Sequence, residues 1–120
     1  MHMVVDVERM LRVRTTPGGK VSLTALQAKF VRMVALLIIK ADELGYEFTF
    51  GDAYARSGHM DKSLHYSRLA IDLNLFKDGI YKYETSEYKE LGEYWESIGG
   101  AWGGRFGDGN HFSLAYGGRK

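Results

Sequence analysis

Leu69-Ala-Ile-Asp72-Leu-Asn-Leu-Phe76-Lys-Asp78-Gly79-Ile-Tyr-Lys-Tyr83 is the stretch on which the fold turns. Leu69, Ile71, Leu73 and Leu75 alternate with Ala70, Asp72 and Asn74, the period of two that sends successive side chains to opposite faces of a strand. Lys77-Asp78-Gly79 is a hairpin turn signal, and Ile80 to Tyr83 reads as the return strand. One face of the first strand is aliphatic. The other carries a carboxylate, Asp72, beside the small Ala70. A charge next to a hydrophobic strand is costly unless it is paired or bound to a cation. An exposed sheet face explains the same alternation more simply, and the strand by itself does not decide between the two.

Upstream, Tyr46-Glu-Phe48-Thr-Phe50 alternates in the same way and predicts another strand. Before it lies the clearest helix, from about Leu23 to Leu44, with Ser22 as its cap and Gly45 closing it at the C′ position. Leu23, Leu26, Phe30, Met33, Val34, Leu37, Ile38 and Ala41 recur at helical spacing, which predicts a broad buried stripe. Thr15-Thr-Pro17-Gly-Gly19 has the composition of a turn. Residues 1–14 carry mixed signals, Val4, Val5 and Val7 favouring strand and Glu8-Arg-Met-Leu-Arg12 a short helix. Downstream, a second helix is predicted from about Ser86 to Ile98, capped by Thr85 or Ser86 and closed by Gly99. Gly99 to Gly109 is rich in glycine around Trp102, Arg105 and Phe106, as expected of a loop lying close to a ligand or to another backbone. His111 to Tyr116 reads as a last strand. The fold class is α+β, a small antiparallel sheet with helices on one side.

At 120 residues the chain is expected to form one domain, with residues 1–20 as an N-terminal segment and 21–116 as the core. Hydrophobic residues make up 45% and charged residues 26%, ordinary for a soluble globular protein. A formal charge of +1 argues against a chain built to seek polyanions. There is no cysteine, so no disulfide forms and any metal site must use His, Asp and Glu. The N-terminus lacks the basic-then-apolar pattern of a signal peptide. The apolar run Val31–Ile39 is interrupted by Arg32 and is far too short to span a bilayer, so no membrane insertion is expected.

His65, Asp72 and His111 have the side chains of a catalytic zinc site, in which imidazole and carboxylate bind Zn²⁺ and a fourth position stays open to water. Asp108 stands three residues before His111, so a second carboxylate can face the same ion as a base. By spacing alone three remote residues are a weak metal signal, unlike a His-Glu-x-x-His helix.

Ser63-x-His65, followed by Ala70-x-Asp72-Leu73, resembles the Ser-x-His-x-x-Gly-x-Ala-x-Asp signature of the zinc D-alanyl-D-alanine carboxypeptidase and L-alanyl-D-glutamate endopeptidase family. Asp108-Gly-Asn-His111-Phe resembles its second motif, an acidic residue three positions before a histidine. The order of elements over roughly residues 22–116 is similar to that of the family's small phage endolysins. The resemblance implies a hedgehog/DD-peptidase-like fold with a zinc cleft across the sheet. It implies His65, Asp72 and His111 as zinc ligands and Asp108 as the acid/base that activates water and later protonates the leaving amine. Arg56 matches an arginine that faces the scissile carbonyl, where a fixed guanidinium stabilises the oxyanion; a surface arginine in a loop is the alternative. Ser63 matches the motif serine, which would orient a ligand. Arg68 stands where the family has glycine. If that glycine serves a positive φ, arginine strains the loop; if it serves clearance, Arg68 projects a cation at the cleft rim towards substrate. Trp102 and Tyr66 are candidates to stack on a peptide or sugar, or simply to pack, and His59 is read as an exposed loop histidine.

The resulting expectation is a monomeric, zinc-dependent endolysin that hydrolyses the L-alanyl-D-glutamate bond of the peptidoglycan stem peptide. It would be made in the host cytoplasm, act on the wall after release, and bind no nucleic acid. A D,D-carboxypeptidase of the same family is the close alternative. A zinc-bearing wall-binding module without catalysis and, more weakly, a nucleic-acid-binding domain using Arg9, Arg12, Arg14 and Lys20 are readings of other classes.

Overall fold

Asp78 and Gly79 both adopt positive φ, at 52° and 77°, the geometry of a two-residue turn whose twist matches the strands it joins. The turn links β2 (Ala70–Lys77) to β3 (Ile80–Lys82), pairing Phe76 with Tyr81. This is a computed structural model, and it describes residues 5–15, 17–51 and 67–116. β1 (Tyr46–Phe50) runs antiparallel along the other edge of β2, with Phe48 opposite Leu75 and Phe50 opposite Leu73. β5 (His111–Ser113) joins the opposite end of β2 on the β3 side, and β4 (Ala101–Trp102) lies beyond β5. All these pairings are antiparallel.

The helices cover one face of this sheet. α2 (Leu23–Glu43) starts where Ser22 Oγ accepts from Ala25 N–H at 3.1 Å, and it ends at Gly45, which takes the left-handed conformation with φ +81°. α3 (Lys89–Ser97) lies beside it, and Trp95 meets Phe30 of α2 and Phe112 of β5 edge-on at 5.8 Å. Ile71, Leu73 and Leu75 point into this layer and are buried. The apolar stripe of α2 is rotated slightly from its expected place. Leu23 and Ile38 are 37% and 41% exposed, whereas Leu36 is buried among Val5, Val7 and Tyr94. The N-terminal segment causes the shift by covering a flank that would otherwise face solvent. Within it, residues Val7–Leu11 form the short helix α1 rather than a strand, capped by Asp6. Arg32 of α2 donates to the carbonyls of Met10 and Arg12 at its open end. No described helix is long and apolar enough to cross a membrane.

The second helical region departs from expectation at its start. Thr85–Tyr88 is a 3₁₀ turn leading into α3, and its cap is Glu84, in a reciprocal box with Glu87, rather than Thr85 or Ser86. Thr85 is already inside the turn, where its hydroxyl has other partners. Tyr88, 1% exposed, reaches the sheet, and its hydroxyl accepts from Leu75 N–H at 3.0 Å. This bond fills the gap between β3 and β5 along β2, and burial holds the Tyr88 phenol above its ordinary pKa. Tyr88→Phe therefore leaves a buried N–H without an acceptor and is expected to lower stability by about 1–3 kcal/mol, read as a fall in the urea midpoint at unchanged m-value.

Candidate metal centre

Asp72 and His111 are direct cross-strand partners on β2 and β5. Because side chains alternate, both project from the face opposite Ile71 and Leu73, away from the aliphatic layer. His111 Nδ1 stands 3.2 Å from Asp72 Oδ1. The His111 side chain is 9% exposed and that of Asp72 19%, so this is a largely dehydrated pair.

Asp108 arrives by a different route. Gly103–Phe106 form a 3₁₀ turn ended by Gly107 at φ +83°, after which Asp108 N–H donates to Gly103 O at 2.9 Å. Its carbonyl then accepts from His111 N–H at 3.2 Å, linking the turn to the first residue of β5. Gly103 is required by the closeness of this return. A Cβ there would run into Asp108 O and stand 2.7 Å from His111 Cβ. The result is a group of three side chains, Asp72, Asp108 and His111, whose donor atoms all lie within 4.8 Å of one another. Asp108 is the exposed member.

Two carboxylates and an imidazole this close repel one another through the carboxylates unless a cation or proton intervenes. Oxygen and nitrogen donors without thiolate suit a borderline divalent ion, Zn²⁺ among them. Asp72 and His111 stand at hydrogen-bond distance, 3.2 Å, and with Asp108 they gather three donor atoms of the types such an ion takes within 4.8 Å. The residues present therefore fit a metal ion.

Arg56, His59, Ser63, His65 and Tyr66 lie outside the described residues. Arg68 adopts φ +56°. This is a left-handed backbone, in which a side-chain-bearing residue such as arginine is strained. Arg68 lines an apolar groove with Phe30, Val34 and Ile71, on the helix side of the sheet and away from Asp72. Trp102 is buried at 4% exposure and donates from Nε1 to Gly109 O at 2.8 Å. Gly92 of α3 lies against its ring, where a Cβ would enter the indole, and the Arg105 guanidinium sits 5.2 Å from the ring centre. It forms the wall behind the Asp108 turn and presents no open stacking face. The glycines of this loop accommodate tryptophan and backbone, the second of the two expectations stated for them. Arg105 in turn forks onto Glu96 of α3, and this hydrogen-bonded pairing holds the Glu96 carboxyl below its ordinary pKa.

Sequence reasoning overlooked Asn74 and Thr85. Asn74 Oδ1 accepts from the Asn110 amide at 3.4 Å beside the metal group, and the Thr85 hydroxyl touches both residues flanking Asp108. The only local signal at Thr85 is a threonine at a helix start, which reads as a cap.

A sequence model of the D-alanyl-D-alanine carboxypeptidase family matches residues 56–114. No curated protein matches the chain. The matched stretch contains Asp72, Asp108 and His111 as well as Arg56 and His65, so the similarity covers the residues that the fold gathers and those outside the described region.

Zn²⁺ at a hundred times its Kd is expected to stabilise the protein by about 2.7 kcal/mol, and His111→Ala or Asp72→Ala to abolish that shift in a thermal melt. Arg68→Gly is expected to add about 0.5–1 kcal/mol, since relief of the left-handed backbone outweighs the greater freedom of the unfolded chain; urea denaturation measures it.

Proposed function

We propose that this chain is a zinc-dependent peptidoglycan peptidase of the phage endolysin kind, which hydrolyses the L-alanyl-D-glutamate bond of the stem peptide. The observation that carries the reading is the Asp72–Asp108–His111 group on the sheet face opposite the aliphatic layer, inside the stretch similar to a peptidase family. His65, Asp72 and His111 would hold Zn²⁺, a borderline ion suited to one carboxylate and two imidazoles. Bound there, Zn²⁺ supplies Lewis acidity, polarising a carbonyl and making a water molecule more acidic.

The remaining chemistry belongs to the chain. Asp108, exposed beside the part-buried pair, accepts a proton from the attacking water. It returns that proton to the departing amine nitrogen as the C–N bond breaks, so the carboxylate is regenerated at the end of each turnover. Arg56 would face the carbonyl oxygen and stabilise the negative charge that develops there. The part-buried Asp72–His111 pair, carried on strands tied by ladder bonds, supplies the strand-held half of the site.

The Asp-x-x-His form of the second motif favours the endopeptidase reading. A D,D-carboxypeptidase is the second reading, favoured by the description of the matching family. The two differ in the bond cut and share the residues.

Purified sacculi and soluble muropeptides digested with wild type, with Asp108→Ala and with chelator-treated protein test this proposal. Wild type is expected to release fragments bearing a new N-terminal glutamate. Asp108→Ala should lose about 10²–10⁴-fold in kcat, and chelation should abolish activity until Zn²⁺ is restored. Freed alanine in place of glutamate would select the carboxypeptidase. Hydrolysis that survives both Asp108→Ala and chelation would refute the site.

A further inference from the structure

We propose that Thr85 is a positioning residue for Asp108, placing the proton-transfer carboxylate from an element that carries none of the metal group. Its hydroxyl donates to Gly107 O at 3.2 Å and accepts from Gly109 N–H at 3.2 Å. One side-chain oxygen thus bridges the two peptide units on either side of Asp108. A hydroxyl is suited to this because it donates and accepts at once, and the β-branch of threonine restricts the rotamers from which it does so.

The approach is tight enough to require glycine. A Cβ on Gly109 would stand 2.7 Å from Thr85 Cα and 3.2 Å from Tyr88 Cδ1, so the loop backbone lies directly against the 3₁₀ turn. That turn is itself well held, by the Glu84–Glu87 box at its start and by buried Tyr88 at its end. The other backbone groups of the Asp108 turn are also taken. Gly109 O accepts from Trp102, Asp108 N–H donates to Gly103, and Asp108 O accepts from His111 N–H. The carboxylate is the part of Asp108 left to face outward.

The two halves of the site are therefore held by different means. Asp72 and His111 are fixed by strand pairing and stay in place for as long as the sheet does. Asp108 belongs to no strand, and its position depends on loop bonds, of which Thr85 supplies two. A displacement of about 1 Å of a reacting group costs up to 10²-fold. The inference rests on Asp108 as the acid/base proposed above, and adds that its placement is controlled by a hydroxyl from a separate element.

Two variants separate positioning from bulk. Thr85→Val keeps the β-branched shape and removes both bonds, whereas Thr85→Ser keeps the oxygen. In metal-loaded protein acting on a soluble muropeptide, Thr85→Val is expected to lower kcat about 10–100-fold. KM and Zn²⁺ affinity should stay within about two- to threefold, a split expected when only a transition-state contact is lost, and Thr85→Ser should retain at least about a third of kcat. A second readout needs neither substrate nor metal. The Gly109 amide should exchange with solvent at least about ten times faster in Thr85→Val, while the Leu73 amide, bonded to Asn110 O, keeps its wild-type rate. A Thr85→Val kcat within threefold of wild type would overturn the proposal. So would a loss that serine does not rescue, or one that Zn²⁺ affinity shares. If wild type cleaves no wall peptide, the peptidase reading fails on that ground alone, and unchanged Gly109 exchange in Thr85→Val would then refute the clamp independently.

Discussion

The register between β2 and β5 is the constraint on which this molecule depends. It sets Asp72 opposite His111, and the same register sets Ile71 opposite Phe112 one residue earlier. Core and candidate site are thus two faces of one ladder. A slip of β5 by a single residue would turn His111 into the aliphatic layer and expose Phe112. The burial of Phe112 against Trp95 and Phe48 therefore protects the site as much as it stabilises the fold. The polar face needs no stabilising role of its own, because the apolar face determines its geometry.

Attached to this rigid ladder is a loop held by unrelated contacts. Between Trp102 and His111 the chain reverses within a few residues, around an indole that is itself flanked by α3 and Arg105. Glycine recurs there because backbone and ring lie too close for any side chain, at Gly103, Gly104 and Gly109. Asp108 on such a loop, beside Asp72 and His111 on paired strands, owes its position to loop contacts rather than to the ladder. The loop and the ladder meet at His111, whose amide N–H donates to Asp108 O while its imidazole joins Asp72.

Much of the fold was legible in the sequence, wherever one local rule was sufficient. The hairpin over Asp78-Gly79 and the α2 boundaries at Ser22 and Gly45 follow from backbone preferences that each residue carries with it. The faces of β2 follow from its alternation. Less was legible where a choice depended on a distant partner. Leu36 looked no more buried than Ile38 until the N-terminal segment covered it. Thr85 looked like a cap because nothing local shows that Gly107 and Gly109 return to its hydroxyl. Trp102 beside glycine fitted a stacking platform and a packed wall equally well, and α3 makes it the wall.

The sequence by itself determined the class of the fold, the strand that bears Asp72, and a donor set of His, Asp and Glu with no thiol. These follow from residue type and short-range periodicity, which act within a few positions. The tertiary structure alone decided that Asp72, Asp108 and His111 meet within 4.8 Å. It also decided that Arg68 takes a left-handed backbone. Residues separated by 36 to 39 positions, such as Asn74 with Asn110 and Asp72 with His111, come together only through strand pairing and packing. No local preference encodes a distance of that kind, because it arises from the burial of the opposite face.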